Sequence, residues 1–219
     1  MTIRVVVLFS GGKDSTLALD WAIHRGWEIV GLVTMLPDKN SMMFQYTCVK
    51  LAEIHADKLN IAWYPLESKS SENELMVLEI GLKRLLESGV IFNGIVSGAL
   101  ASDFQKVRID RIAESLNIAS FSPIWHHSPP IHMRSVIDAG LGAKIVLTAA
   151  EGIGPSWLLR ELNSESIEEL NALSKEFSFN PDGEGGEYET IVVKSFWLKE
   201  TMPLPKEVLY NSVRSEIVG

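Results

Sequence analysis

The chain has 219 residues, of which 46% are hydrophobic and 22% charged, the balance of a water-soluble globular protein that buries a core without covalent staples. Its formal net charge of −8 speaks against non-specific nucleic-acid binding and leaves room only for a local basic patch. The single cysteine, Cys48, excludes an intrachain disulfide, a CxxC redox pair and a cysteine-built zinc site.

The first element is "IRVVVLF" (3–9), a continuous β-branched run that suits a strand buried on both faces of a parallel sheet. It is too short to cross a membrane and runs straight into a turn, so no signal peptide or membrane span is read and a cytoplasmic protein is expected. Residues 14–25 carry a helical stripe of Leu17, Ala18, Trp21 and Ala22, closed by Gly26. "WEIVGLVTM" (27–35) is the second strand, and Thr47 is placed to cap a helix reaching Asn60. "IAWYPLE" (61–67) is the third strand. "SENE" (71–74) has capping-box spacing and opens a helix to Ser88. "VIFNGIVSG" (90–98), a second capping box "SDFQ" (102–105) and "ASFSPIW" (119–125) complete the alternation. The pattern predicts a doubly wound parallel five-stranded sheet with right-handed crossovers.

Two prolines in "HHSPPIH" (126–132) interrupt this rhythm. Beyond them lie a helix candidate (133–141), a strand (143–150), a helix capped by "SIEE" (166–169), a glycine-rich turn (183–186) and a strand (188–198). The expected division is 1–128 for an α/β nucleotide domain and 129–219 for a smaller C-terminal α/β unit. His126, His127 and His132 have no zinc-ligand spacing and are read as structural.

Three stretches carry chemistry. Ser10-Gly11-Gly12-Lys13-Asp14-Ser15 links a strand to a helix N-terminus. Glycines admit an anion close to the backbone, the helix end offers N–H groups and partial positive charge, and Lys13 and two hydroxyls add to them. It is neither G-x-x-x-x-G-K-[ST] nor G-x-G-x-x-G. Asp14 beside a phosphate cradle holds a metal ion, serves as a favourable first-turn acid, or both. The second stretch, "SGALASDFQKVRIDRIAESL" (97–116), follows the fourth strand and sets Arg108 and Arg111 three apart on one helical face, either a ligand-binding face or a solvated one. In the third, "GEGGEYET" (183–190), three glutamates and a tyrosine crowd three glycines, over-charged for a plain turn.

"SGGKDS" between strand and helix resembles the loop of the PP-loop, or N-type ATP pyrophosphatase, superfamily. With an S-D-[YF]-Q-x-x-R ending at 98–108, P-[LI]-W at 123–125 and G-E-x-G-E-[YF]-x-T at 183–190, the chain resembles the diphthine–ammonia ligase family over nearly its whole length, as a short, archaeal-type member without extra C-terminal domains. It departs at Ala113, where members often carry cysteine, a difference of packing. The resemblance implies a HUP/PP-loop fold, ATP and Mg²⁺ as cofactors, and ATP-dependent amidation of diphthine on elongation factor 2 through an acyl-adenylate, with ammonium as nitrogen donor and AMP and pyrophosphate as products. It implies nucleotide contacts from Ser10, Gly11, Gly12, Lys13, Asp14, Ser15, Thr34, Ser97 and Gly98, with Mg²⁺ on Asp14. Together with the residue chemistry, catalytic roles are expected for Lys13, Asp14, Asp103 and Glu187, and substrate contacts from Arg108, Arg111, Glu184, Tyr188, Glu189 and Thr190.

With no cysteine at position 2 and no room for a glutaminase domain, nitrogen is expected from free ammonia or another chain. A quaternary ammonium needs aromatic faces and negative charge, which Tyr188 with Glu184, Glu187 and Glu189 would supply; those glutamates alternatively bind ammonium or deprotonate it. The partners expected are elongation factor 2 and ammonium, with neither membrane nor nucleic acid. Two other readings stand beside this one. A tRNA-modifying PP-loop enzyme would usually need more cysteines than Cys48, and a non-enzymatic nucleotide module would not need Lys13, Asp14 and both serines.

Overall fold

The computed structural model describes residues 2–38, 41, 43–69, 73–204, 207–210 and 214–218. They divide into two units, Met1–Trp125 and His126–Gly219. Among the described residues no helix is long and apolar enough to cross a membrane.

The first unit contains β1 (Arg4–Leu8), α1 (Lys13–His24), β2 (Glu28–Leu36), α2 (Ala52–Leu59), β3 (Trp63–Glu67), α3 (Glu74–Glu87), β4 (Gly94–Val96), α4 (Asp103–Ser115) and β5 (Ala119–Phe121). Its five strands are all parallel, in the order β3-β2-β1-β4-β5. β1 is central, and Val5, Val6 and Val7 are fully buried, as its unbroken apolar run requires. On one face Val6, Val33, Met35 and Ile95 pack against Leu78 and Leu82 of α3 and Ile109, Ile112 and Ala113 of α4. Right-handed crossovers put α1 and α2 on the other face. The chain adds β2 and β3 to one side of β1, then returns to add β4 and β5 to the other. The loops after β1 and β4 therefore leave the same edge of the sheet, where ligands bind in open α/β folds, and lead to helices on opposite faces.

Several elements differ from expectation. β4 and β5 keep only three residues each, because Val90 and Phe92 enter the core ahead of the hydrogen-bonded ladder, and residues 122–125 form a turn. An apolar run reports burial, not pairing. Thr47 does not cap α2. A 3-10 turn, Val49–Leu51, intervenes after Cys48 adopts φ +58°, and α2 ends at Asn60 in the left-handed region. Of the "SENE" box, Ser71 lies outside the described residues; Asn73 occupies the N-cap of α3, and Glu74 opens the helix. Ser102 does cap α4, accepting the N–H of Gln105 at 3.3 Å, but Gln105 does not return its side chain to close the box.

The second unit contains α5 (Pro129–Asp138), β6 (Gly142–Thr148), a 3-10 turn (Pro155–Trp157), α6 (Ser164–Phe177), β7 (Tyr188–Lys194), β8 (Glu207–Tyr210) and β9 (Ser215–Val218). Its sheet is antiparallel, in the order β7-β6-β9-β8. The prolines read as an interruption are the first two residues of α5, where a missing N–H costs nothing and a fixed φ suits the helix, so α5 begins four residues earlier than 133. α6 is capped by Asn163, and Ser166 reciprocates as the third helical residue, so "SIEE" lies inside the first turn. β8 and β9, four residues each, are too short for a periodic signal. Ile145, Leu147, Ile191, Val192, Leu170 and Ile217 are buried in this unit.

Candidate active site

The loop after β1 is shaped by its glycines and held by its serines. Gly11 sits at φ +80°, a conformation glycine adopts without steric cost. Gly12 is the N-cap of α1, and with no side chain at that position nothing caps the helix from within. The first intrahelical bond runs from Thr16 N–H to Gly12 C=O at 3.0 Å. An uncapped helix start with its dipole directed outward is an anion site in the making.

The two serines bind each other. Ser15 Oγ donates to the Gly12 carbonyl at 3.2 Å and accepts the Ser10 N–H at 3.2 Å. The two hydroxyl oxygens are 3.2 Å apart, and Ser10 Oγ also accepts the Gly12 N–H at 3.3 Å. The Lys13 side chain is only 3% exposed, and its Nζ rests 2.9 Å from Asp14 Oδ2. A buried ammonium needs a partner, and Asp14 provides one while remaining a third exposed.

The loop after β4 supports this structure from behind. A Cβ on Gly98 would lie 2.6–2.8 Å from the backbone of Asp14 and Ser15, so only glycine lets the two loops touch. Ser97 Oγ pairs with Ser122 Oγ at 3.0 Å, and Ser97 N–H donates to Phe121 C=O at 2.9 Å. Thr34 is fully buried; it donates to Phe9 C=O at 2.7 Å and accepts the Trp63 indole N–H at 2.8 Å, fixing the strand end from which the phosphate loop departs. Asp103 is exposed at the first turn of α4. Arg108 turns back on its own helix, donating to Phe104 C=O at 3.0 Å and covering the Phe104 ring at 3.4 Å, while Arg111 is exposed.

A third contributor follows β2. The segment between β2 and α2 reaches the phosphate loop through Gln45, whose Oε1 accepts the Ser10 hydroxyl at 3.1 Å. Ser41 Oγ donates to Glu74 Oε2 at 2.9 Å and accepts the N–H groups of Met43 and Phe44 at 3.2 and 2.9 Å. Gln105 Nε2 donates to Met43 C=O at 3.1 Å. Burial raises the Glu74 carboxyl above its ordinary range, the Ser41 hydrogen bond lowers it, and the nearby Asp38 charge raises it again. No sequence signal marks Gln45; Gln105 was visible in "SDFQ" but read as a cap.

In the second unit, residues 183–190 form a turn closed on itself. Glu187 Oε1 accepts the Asn180 N–H at 2.9 Å, and its carboxylate covers Gly185, where a Cβ would approach to 2.6 Å. Glu187 Oε2 is buried without a hydrogen-bond partner among the described residues. The Tyr188 ring, expected to face a ligand, is 3% exposed; its hydroxyl donates to Pro181 C=O at 2.8 Å and its carbons lie against Gly183. Glu184 and Glu189 are half-buried, and Thr190 is buried in β7 opposite Ile145. Tyr188 therefore plugs the turn and leaves the glutamates as its chemically available groups.

Among the described residues there is no cluster of three or more His, Cys, Asp or Glu able to hold a metal by itself. The donor set at the phosphate loop, one carboxylate from Asp14 beside a polyphosphate cradle, fits Mg²⁺, which takes one or two carboxylates and completes its shell with phosphate oxygens and water.

Comparison with known proteins follows the same two-unit division. Residues 3–120 match the model of the diphthamide synthase N-terminal domain, and residues 128–205 that of the diphthamide synthase C-terminal domain. The chain is 30% identical over 210 residues to the diphthine–ammonia ligase of Rattus norvegicus, covering 87% of this chain and 78% of that protein. It is 28% identical to the Homo sapiens enzyme of the same name, with the same coverage. It is 27% identical to that of Schizosaccharomyces pombe over 95% of this chain but only 37% of that longer protein.

Proposed function

Because the chain belongs to the diphthamide synthase family, we propose that it amidates diphthine on elongation factor 2, with ATP and ammonium as co-substrates. It is a ligase, and one observation carries the chemistry: an uncapped helix start, reinforced by buried Lys13, at the edge of the sheet where the direction of strand addition reverses. Such a site suits a polyphosphate that is to be stabilised as it leaves.

The substrate carboxylate oxygen attacks the α-phosphorus of ATP, and the bond to the β-phosphate oxygen breaks. Gly11, Gly12, Ser10, Ser15 and Lys13 receive the negative charge that grows on the departing pyrophosphate. Asp14 would hold Mg²⁺ beside the cradle, and the ion would supply further positive charge to the leaving group. Ser97 and Gly98 brace the cradle from behind, and Thr34 fixes the strand end beside it. Ammonium gives up a proton, the resulting ammonia attacks the acyl carbon, and the bond to AMP breaks as the nitrogen loses a second proton and the amide forms. Asp103 at the exposed start of α4, with Arg108 and Arg111, faces the substrate. Glu184, Glu187 and Glu189 supply the negative charge that attracts ammonium or the trimethylammonium of diphthine, and Thr190 orients their strand; Tyr188 contributes as the plug of the turn. On this reading the enzyme works in the cytoplasm.

ATP labelled at the γ-phosphate tests this reading. Incubated with diphthine-bearing elongation factor 2 and ammonium, label is expected in pyrophosphate, with AMP formed in equal amount and only when both co-substrates are present. Label in free phosphate, with ADP as co-product, would overturn it.

A further inference from the structure

The hydrogen-bond direction at Ser10 is fixed by a chain of elimination. Thr47 C=O can only accept, and it lies 2.9 Å from the Gln45 side-chain nitrogen, so that end of the amide is the NH₂. The other end, facing Ser10 Oγ at 3.1 Å, is therefore the carbonyl oxygen, which also can only accept. Ser10 must be the donor in this bond. Its one hydroxyl proton points at Gln45, while its lone pairs serve the Gly12 N–H. A phosphate oxygen needs that same proton.

We propose that Gln45 is a built-in competitor of the nucleotide for the Ser10 hydroxyl proton, and thereby a positioning residue of the phosphate loop. Binding of the pyrophosphate end exchanges Ser10–Gln45 for Ser10–phosphate and releases the Gln45 amide. This rests on the ATP-dependent reading above and deepens it.

Gln45 is well placed to compete because the ordering of its segment has been met elsewhere. Ser41 is bonded to Glu74 and to the N–H groups of Met43 and Phe44, and Gln105 grips the Met43 carbonyl. An acceptor already held in place loses little freedom on bonding, so it competes better than water would. Gln105 departs from its capping-box geometry to make this contact across 62 residues of sequence. α4, which begins with Asp103 and Gln105, is thereby tied to the segment that Gln45 occupies, and loss of the Ser10 bond slackens that segment between two anchors.

Calorimetric titration of the full chain with Mg²⁺ and an ATP analogue whose α,β bridge cannot be cleaved tests the proposal. Gln45→Ala removes the competitor and is expected to tighten binding by about two- to tenfold, the range of a net hydrogen bond. Gln45→Glu gives Ser10 a stronger acceptor and sets a negative charge beside the phosphates, so it is expected to weaken binding by about tenfold or more. In a Ser10→Ala background, Gln45→Ala is expected to change nothing. Opposite signs for Ala and Glu, and the disappearance of the Ala effect without Ser10, are not what a merely structural residue produces. Unchanged or weakened binding in Gln45→Ala overturns the proposal, as does a gain that persists in Ser10→Ala. Binding of the analogue by the unaltered chain keeps the ATP reading intact in either case; its absence would overturn both.

Discussion

Two glycine-rich, charged stretches lie in this chain, and they do opposite things with the same ingredients. At 10–15 the glycines lead into a helix, so backbone N–H groups converge on an uncapped end and the local field is positive. At 183–190 they lead into an antiparallel strand, whose dipoles largely cancel, and the turn consumes its own donors: Asn180 N–H goes to Glu187, and Glu184 N–H approaches Asp182. The first stretch buries a cation, Lys13, against an acid that stays partly exposed. The second buries an aromatic plug and leaves its three glutamates half-buried. Glycine content alone therefore says nothing about the sign of the ligand. The element that follows the glycines decides it.

The largest effect expected is at the first stretch. Lys13→Ala, or Asp14→Ala, should reduce AMP formation by about 100-fold or more, since each removes a preorganised charge from the site of the leaving group. Circular dichroism should show the fold retained, and near-normal turnover would mean that the uncapped helix end does not serve the chemistry. Next comes Gly98→Ala. Its Cβ would collide with the backbone of Asp14 and Ser15, so α1 must shift. A loss of about 1–3 kcal/mol in urea unfolding is expected, together with weakened nucleotide binding. If binding is untouched, the two loops are mechanically independent. The smallest and most discriminating effect is that of Glu187→Gln. The amide oxygen still accepts the Asn180 N–H, so the turn should hold and stability should move by less than about 0.5 kcal/mol. Nucleotide affinity should stay within a few fold while amidation of elongation factor 2 falls sharply. Equal retention of both would assign Glu187 to the turn alone, and the contrast between the two stretches would then be one of structure only.

Much of this was readable in advance, for identifiable reasons. The valine run of β1 and the alternation that follows specified a parallel doubly wound sheet, because strands buried on both faces leave an unmistakable pattern. The phosphate loop was legible because its residues act locally, within six positions. What was not legible depends on partners distant in sequence. Gln45 reaches Ser10, Gln105 reaches Met43, and Trp63 reaches Thr34; none of these pairings has a spacing that a local pattern can encode. Caps were misplaced where two candidates competed. Asn163 won over Ser166 because Ser166 serves better as the reciprocating third residue, its hydroxyl also donating to Glu161 C=O. The prolines before α5 were read as a break because proline opposes helix interiors, yet it is favoured at their first turn. The ring of Tyr188 was read as a face for a cation, but Tyr188 opens a strand, YETIVVK, that is buried along most of its length, and its ring goes into that unit with it.

The support that Gly98 gives to the phosphate loop has a consequence for how the protein is made. The motif at 10–15 is synthesised well before β4, yet its geometry depends on β4 lying beside β1, with Val6 opposite Ile95 in register. That pairing joins residues almost ninety positions apart, and parallel pairings of such separation are slow because the intervening chain must first be ordered. β2 and β3 can join β1 on one side without completing the cradle. A nascent chain carrying the whole of the motif therefore lacks the brace that Gly98 gives the backbone of Asp14 and Ser15 until β4 has emerged and docked.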